Sequence, residues 1–168
     1  CNISYTMVEV DDHQYIVHNE SIEVILSEGE HWIVVTTYDI ANRSTSEKIR
    51  IIVDLTPPTI RILSPVNNKK YRDTVEIVWE STDNFDAILK VELYVNGSIC
   101  NTIHSANGSY VISLNPGKYI ISAKVYDMAN NSNMDSVVIY IASIQIIEPE
   151  DRANVSSMDV VVLSLIHI

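Results

Sequence analysis

A heptapeptide that occurs twice constrains the fold more than any other feature of this 168-residue sequence. Residues 38–44 read YDIANRS and residues 126–132 read YDMANNS, so the two copies are 88 positions apart (126 minus 38). Adding 88 also matches apolar or glycine positions on either side without a gap: Ile3 with Val91, Tyr5 with Leu93, Met7 with Val95, Gly29 with Gly117, Trp32 with Ile120, Ile49 with Val137 and Ile51 with Ile139. Self-similarity over this length predicts a repeated structural unit.

The matching apolar positions recur at every second residue, which is the period of a β-strand with one buried face. Turn-forming clusters such as PVNNKK, STDNFD and NPG separate them. The pattern predicts strands near residues 59–63, 74–80, 88–95, 98–103, 109–114, 118–126 and 135–141. A run of short alternating strands at this spacing is typical of an immunoglobulin-like sandwich, so we predict an all-β chain.

The repeat divides the chain into one complete and two partial modules of a tandem immunoglobulin-like array. We assign residues 1–54 to the C-terminal part of a first module, residues 55–142 to a complete module and residues 143–168 to the first strands of a third, truncated one. Past the linker DLTPP the offset falls to 84, where Ile60 matches Ile144. The two linker prolines fix φ and predict a semi-rigid joint.

The last six residues, LSLIHI, depart from the repeat. A polar turn is expected where the sequence reads IHI, so either this strand runs longer than its counterpart or these residues are foreign to the repeat. We favour the second interpretation. Two strands cannot close a sandwich and leave an unpaired apolar edge. We therefore expect residues 143–168 to be poorly ordered or packed against a neighbour.

Charge and hydrophobicity exclude two classes of partner. The formal net charge of −11 argues against nucleic acid, because binding a phosphate backbone needs clustered Lys and Arg. The longest apolar run, SVVIYIASIQII, is interrupted by polar residues and is shorter than the roughly 20 residues of a membrane-spanning helix. The sequence begins without Met or an apolar leader, so we expect a piece of a longer protein whose export signal lies elsewhere.

Four segments in order resemble the Ig-like repeats of bacterial and archaeal cell-surface and secreted proteins: VDLTPPTIRILSPVNN, TVEIVWESTDN, VELYVNGS and GSYVISLNPGKYIISAKVYDMANNS. The resemblance implies an extracellular or cell-surface location and a non-catalytic structural or spacer role, with neighbouring modules of the same chain as partners. Two alternatives stay open: an adhesin or carbohydrate-binding module that contacts surface polysaccharide or protein, and an accessory domain of a secreted hydrolase.

The resemblance also implies roles for residues of one strand. Tyr119 falls at the tyrosine corner, whose hydroxyl ties a strand to the loop before it. The first module has His31 in that position, which leaves its corner bond open. Ile121 stands where antibody domains have a cysteine.

The repeated aspartates admit two interpretations. Asp39 and Asp127 lie where a strand ends, and a carboxylate there accepts backbone N–H bonds while a following Asn adopts the left-handed conformation. Alternatively, Asp127 or Asp39 joins carboxylates of STDNFD such as Asp83 and Asp86 in a Ca²⁺ site, because hard cations need several oxygens at one place. The structural turn is favoured, since the sequence lacks a dense D-x-D-x-D-G spacing.

Catalytic and cofactor motifs are missing from the sequence. It contains four glycines, and no window supplies a G-x-G-x-x-G or Walker loop. No H-E-x-x-H, G-x-S-x-G or C-x-x-C occurs, and the five histidines are scattered. Asp11, Asp12 and His13 fall in a predicted hairpin turn, so we interpret them as a solvated loop and not as a metal or glycosidase site. We therefore predict a protein without enzyme activity or cofactor.

Three kinds of surface residue complete the set of candidates. Cys1 and Cys100 have no pairing partner within a module, so both are expected to be free thiols. Trp32, with Tyr38 on the same strand face, is the candidate for an aromatic platform, and we favour packing because the next module does not repeat it. Asn-x-Ser sequons, which indicate turns or glycosylation, occur at Asn2, Asn19, Asn42, Asn96, Asn107, Asn130 and Asn154.

The alternation also predicts which side chains the complete module buries. Glu76, Lys90, Glu92 and Lys124 are expected to face water. The expected core consists of Val75, Ile77, Trp79, Val91, Leu93, Val95, Tyr110, Ile112, Leu114, Tyr119, Ile121, Ala123, Ile139 and Ile141.

Overall fold

The computed structural model describes residues 3–18, 21–85, 87–146 and 164–167. The chain divides into two compact units, Cys1–Leu55 and Thr56–Ile168. The described strands are β1 (Ile3–Val10), β2 (His13–Val17), β3 (Gly29–Asp39), β4 (Ser44–Val53), β5 (Thr59–Ser64), β6 (Lys69–Tyr71), β7 (Thr74–Thr82), β8 (Ile88–Val95), β9 (Ser98–Ile103), β10 (Gly108–Ser113), β11 (Gly117–Asp127), β12 (Ser132–Ile141), β13 (Ser143–Ile146) and β14 (Ser164–His167). The predicted all-β class is confirmed. Over these ranges no helix is long and apolar enough to cross a membrane.

The first unit contains one antiparallel sheet with the strand order β2-β1-β3-β4. A tight turn at Asp11 and Asp12 joins β1 to β2, which confirms the predicted hairpin. One face of the sheet is apolar and, together with residues 21–28, lines an open groove of about 800 Å³. The groove residues include Val8, Val10 and Ile33.

Strand pairing corrects the sequence alignment of β1 by three residues. Val8 pairs with Val35, and Leu93 pairs with Ala123. Because Val35 and Ala123 match at the offset of 88, the counterpart of Leu93 is Val8 and the offset there is 85 (93 minus 8). A shift by three residues moves every side chain of the strand to the other face. The offset changes between β1 and β3 because the connection between these strands differs in length from its counterpart in the second unit. The counterparts of Val91, Leu93 and Val95 are Thr6, Val8 and Val10, not Ile3, Tyr5 and Met7.

The second unit contains a sandwich of two sheets, one with the order β10-β7-β5 and the other with the order β6-β12-β11-β8-β9. Neighbouring strands are antiparallel except for the parallel pair β6 and β12. Asp135 links the sheets, since its Oδ2 accepts the Ile62 N–H at 2.8 Å. The side chains of one core come from both inner faces: Ile62, Val75, Ile77, Trp79, Val91, Leu93, Ile121, Ala123, Val125, Val137, Ile139 and Ile141.

The predicted core register is confirmed. Nine of the predicted residues belong to this fully buried cluster, and the others, Val95, Tyr110, Ile112, Leu114 and Tyr119, pack against it while partly buried. One expectation for the outward face is wrong. Glu92 lies opposite the core but is 8% exposed, because neighbouring side chains cover it.

The last described strands form a separate pair. In this pair β13 is antiparallel to β14, with Ile144 opposite Ile166. In the sandwich β5 is antiparallel to β7, with Ile60 opposite Ser81. Ile144 matches Ile60 in the sequence, and each of these residues lies in a strand with an antiparallel partner. The assignment of residues 143–168 to a third module stays a prediction. The expectation that residues 143–168 are poorly ordered or packed against a neighbour stays a prediction, since residues 147–163 and 168 lie outside the described residues.

Candidate functional site

Both copies of the heptapeptide form the same turn. The Asp39 N–H donates to the Arg43 carbonyl at 3.0 Å, and the Asp127 N–H donates to the Asn131 carbonyl at 3.2 Å. In return, Asp39 Oδ1 accepts the Arg43 N–H at 3.0 Å, and Asp127 Oδ1 accepts the Asn131 N–H at 2.8 Å. The preceding residue is Asn42 in the first copy, with a φ of 60°, and Asn130 in the second, with a φ of 69°. The predicted structural turn is therefore confirmed in both copies.

The second carboxylate oxygen distinguishes the two copies. Oδ2 of Asp39 accepts from the Arg43 guanidinium, 2.8 Å from Nε and 2.7 Å from a terminal nitrogen. The Arg43 main-chain N–H and its guanidinium hold the pKa of Asp39 below its usual value. The second copy has Asn131 at the matching position, which carries no cationic group. Asp127 is 1% exposed, and its Oδ2 has no hydrogen-bond partner in the described part of the chain.

A second aspartate with the same feature lies beside Asp127. Asp83 follows the end of β7, and its Oδ1 accepts the Phe85 N–H at 2.9 Å. Its Oδ2 is buried and, as far as the chain is described, has no hydrogen-bond partner. A carboxylate oxygen of Asp83 lies within 4.8 Å of one of Asp127. The structure thus brings together two of the three predicted metal ligands, while Asp86 lies outside the described residues.

The described residues show no hydrogen bond from the Tyr119 hydroxyl, whereas His31, at the matching position of the first unit, bonds to the loop before its strand. The His31 ring is nearly buried, with Nδ1 2.7 Å from Asp11 Oδ2 and Nε2 2.8 Å from the Ser27 carbonyl oxygen. When both ring nitrogens are protonated, both donate, so the imidazolium links β3 to the preceding loop and to the hairpin. The Asp11 carboxylate raises the pKa of His31, and the His31 hydrogen bond lowers the pKa of Asp11.

The hairpin turns of the two units use the same side-chain bond. Asp11 Oδ1 accepts the Trp32 N–H at 2.9 Å, and Asn96 Oδ1 accepts the Ile120 N–H at 2.8 Å. Both turn residues have a positive φ, 52° for Asp11 and 50° for Asn96. Asp11 is therefore part of the turn and of the His31 ion pair. The sequence indicated the hairpin but not this partner, which lies 20 residues away.

The candidate aromatic platform is divided in two. Trp32 is 40% exposed, and the Lys48 ammonium lies 4.1 Å from its ring centroid. Tyr38 instead stacks on Tyr5, with ring centroids 4.7 Å apart and planes 14° apart. Six residues along a strand span about 20 Å, so Trp32 and Tyr38 do not form one continuous surface. Packing of Trp32 was expected from the sequence, and in the structure its ring packs against Lys48 and not in a hydrophobic core.

A carboxylate network on the outer face of the second unit was not predicted. Glu92 accepts from Lys90 at 2.6 Å, from the Tyr94 hydroxyl at 2.6 Å and from the Tyr126 hydroxyl at 3.1 Å. The Lys90 hydrogen bond, followed by that of Tyr94, lowers the pKa of Glu92, and this carboxylate raises the pKa of Tyr94. Lys124 lies over the Tyr126 ring, 4.7 Å from its centroid. The alternation of one strand places these groups on one face but does not reveal their cross-strand contacts.

The described sequons and the described cysteine lie at the surface or near it. The sequons at Asn42, Asn96, Asn107 and Asn130 are in exposed turns, and those at Asn2, Asn19 and Asn154 lie outside the described residues. Cys100 is a free, half-buried thiol whose pKa is raised by burial. Cys1 also lies outside the described residues, so its expected state stays a prediction.

The two-sheet sandwich, its strand order and its two-residue hairpin turns define the class of immunoglobulin-like β-sandwich domains. A family model described as bacterial Ig domain matches residues 58–141, half of the chain. The chain belongs to that family. The resemblance seen in the sequence is thereby confirmed.

One similar solved structure supports this fold. The chain is similar to the fibronectin(III)-like modules of Clostridium thermocellum CbhA, with a TM-score of 0.53 and 17% sequence identity over 83% of this chain and 78% of that chain. It is also similar, with a TM-score of 0.43 and 12% identity, to the endo-beta-1,4-mannanase from Thermotoga petrophila, over 52% of this chain and 20% of that chain. Comparison with curated proteins finds no match to the sequence. The first likeness shows the fold alone.

Proposed function

We propose that the chain is a non-catalytic spacer segment of an extracellular or cell-surface protein, built from tandem Ig-like modules. One observation carries this proposal. The strands β1 to β4 of the first unit pair in the same order as β8, β9, β11 and β12 of the second, and they share the hairpin turn and the heptapeptide turn. Consecutive copies of one module extend a chain without needing any new interaction, which is what a spacer requires.

The chemistry of the described ionisable groups supports a structural role. Two ionisable groups with several polar contacts, His31 and Glu92, form hydrogen bonds that join neighbouring strands or loops. The exposed sequons at Asn42 and Asn130 fit an exported protein, where turns are accessible to glycosylation. These features favour a module whose task is to hold its shape outside the cell.

Independent folding of the complete module tests the repeat on which the proposal rests. A fragment of residues 56–142 should fold by itself and unfold cooperatively, with a transition in calorimetry that matches one transition of the 168-residue chain. Retention of a native circular dichroism spectrum would agree with this. A fragment that stays unfolded would contradict a string of separate modules. So would a 168-residue chain that melts in a single transition, if cleavage near residue 55 abolishes that transition.

A second candidate, the carbohydrate-binding module, is favoured by the exposed ring of Trp32. Sugar rings stack on exposed aromatic faces, and Lys48 would have to move away first. Affinity electrophoresis in gels containing soluble β-glucan or mannan discriminates between the roles. A spacer should migrate as in the empty gel, as should the Trp32→Ala variant. Retardation that Trp32→Ala abolishes would establish binding and replace the spacer proposal.

A further inference from the structure

We propose that Asp83 and Asp127 bind a Ca²⁺ ion at the end of β11 in the second unit, and that Arg43 takes the place of this cation in the first. The proposal does not depend on the spacer role. It rests on two unpartnered carboxylate oxygens, on the matched turn of the first unit and on the chemistry of the ligands.

The first observation is a pair of buried acceptors without donors. Each aspartate uses Oδ1 for a main-chain N–H and leaves Oδ2 buried and unpartnered among the described residues. Asp127 is 1% exposed, so water does not compensate its charge. A buried carboxylate oxygen without a partner costs several kcal/mol in general, and a second carboxylate within 4.8 Å adds repulsion. A cation between the two oxygens removes both penalties.

The second observation is that the first unit solves the same problem with a side chain. Its turn has the same main-chain bonds, and the oxygen matching the unpartnered Oδ2 of Asp127 is Oδ2 of Asp39, bound by the Arg43 guanidinium. Where Arg43 stands in the first copy, Asn131 stands in the second. Two copies of one turn thus differ in the source of positive charge, which is internal in the first and external in the second.

The ligand atoms indicate the kind of cation. Both candidate ligands are carboxylates, which suit hard cations, whereas a site for zinc would be expected to contain His or Cys. Ca²⁺ tolerates irregular geometry and completes its coordination with carbonyl oxygens and water, whereas Mg²⁺ demands a near-ideal octahedron. With two protein carboxylates we expect a Kd of about 10⁻⁴–10⁻³ M, the range of extracellular Ca²⁺ modules.

The test is a CaCl2 titration of the 168-residue chain after treatment with a chelator, followed by calorimetry at constant ionic strength. We expect saturable binding of one Ca²⁺. We also expect the Tm of the second unit to rise by about 5–10 °C at a Ca²⁺ concentration ten or more times the Kd. The first unit should melt at the same temperature with and without Ca²⁺, because Arg43 already neutralises Asp39.

Three variants locate the site, and a fourth variant serves as a control. Asp83→Asn and Asp127→Asn should each weaken Ca²⁺ binding at least tenfold. Asn131→Arg should abolish binding and make the Tm independent of Ca²⁺ without loss of folding, because the first unit contains that pairing of Asp and Arg. Glu76→Gln removes an exposed acid from the same unit and should leave the Kd unchanged.

Three results would overturn the proposal. The first is the absence of binding by the unaltered chain, which needs no variant to fold. The second is an unchanged Kd in both Asp83→Asn and Asn131→Arg, which would put the ion elsewhere. The third is an equal rise in Tm with MgCl2, which would mean general screening of a chain with a net charge of −11.

Discussion

Each unit contains a sheet with matching strands, but the two units bury the matched side chains to different extents. In the second unit the central strands β11 and β12 face a second sheet, and Ile121 and Ile139 are 0% exposed. In the first unit the matched face lines an open groove, and no second sheet occurs within its described residues. Exposure therefore rises from 0% at Ala123 to 37% at Val35 and from 8% at Val137 to 54% at Ile49. Strand pattern and pairing are properties of one sheet, whereas burial depends on the sheet opposite.

The largest difference between the units should appear at their two tryptophans. Trp79 is 1% exposed at the centre of the sandwich, while Trp32 is 40% exposed. Trp79→Ala should lower the free energy of unfolding of the second unit by about 3–5 kcal/mol, because the ring leaves a large cavity. Trp32→Ala should cost the first unit less than about 1 kcal/mol, chiefly its contact with Lys48.

Chemical denaturation followed by circular dichroism measures both effects. Each variant serves as the control for the other, since the substitution is the same and only the environment differs. Similar losses in the two variants would show that the Trp32 ring contributes as much packing to the first unit as the buried Trp79 ring does to the second.

The next effect is steric and specific to the second unit. A Cβ atom added to Gly108 on β10 would lie 2.8 Å from Trp79 Cζ2. The rigid indole is confined in the core, so Gly108→Ala should destabilise the second unit by about 1–3 kcal/mol. Ser109→Ala, at the exposed neighbouring position, should change stability by less than about 0.5 kcal/mol. Urea midpoints of the two variants would test this, and equal midpoints would mean that the indole moves aside.

Much of this architecture follows from the sequence, and its errors have a physical cause. The period of two predicted the core of the second unit in the right register, because alternate residues of a strand face one way. The match of Ile3, Tyr5 and Met7 with core positions failed because a loop of different length lies between β1 and β3. Loop length does not affect the alternation on either side of it, so pattern alone could not detect the shift.

Site contacts were less predictable than strands. The turn role of Asp127 is local, because its partner is four residues away, and sequence chemistry predicted it correctly. The sequence suggested that Asp83 and Asp127 lie close together, because both carry carboxylates that a hard cation could bind. Their proximity depends on the packing of two loops, so only the structure shows it. The bonds of Glu92 to Tyr94 and Tyr126 depend on cross-strand register and were missed.

A smaller effect should be equal in the two units. Asn42 and Asn130 have positive φ in the same turn, a conformation that Asn tolerates better than Ala does. Asn42→Ala and Asn130→Ala should each lower the unfolding free energy of their own unit by about 1 kcal/mol. The matching glycine variants should recover that loss, because glycine adopts positive φ without steric cost. Unequal losses, measured as thermal midpoints, would show that the two turns differ in more than the second carboxylate oxygen.

The smallest effect is the pH dependence that the ion pair of His31 and Asp11 gives the first unit. The pKa of His31 is raised above its usual value of 6.5, chiefly by the Asp11 hydrogen bond, so the folded unit holds this proton more tightly than the unfolded chain. This stabilisation is complete below pH 6.5 and is lost as the pH rises through the folded pKa. The pKa of Asp11 is lowered below 3.8, so its share is present above that pH and is lost as the pH falls through the folded pKa.

The thermal midpoint of the first unit should therefore be highest between these two limits and decline toward alkaline pH. Trp32 emission in a Trp79→Phe background follows this unit alone, since the chain contains two tryptophans. His31→Gln should lower the midpoint in acid and remove most of the decline above pH 6.5, because glutamine keeps a hydrogen bond but carries no titrating charge. The second unit has Tyr119 at the matching position and should not share this dependence. A first unit whose midpoint stays constant as the pH rises from 6 to 9 would mean that the Asp11 contact does not favour the imidazolium.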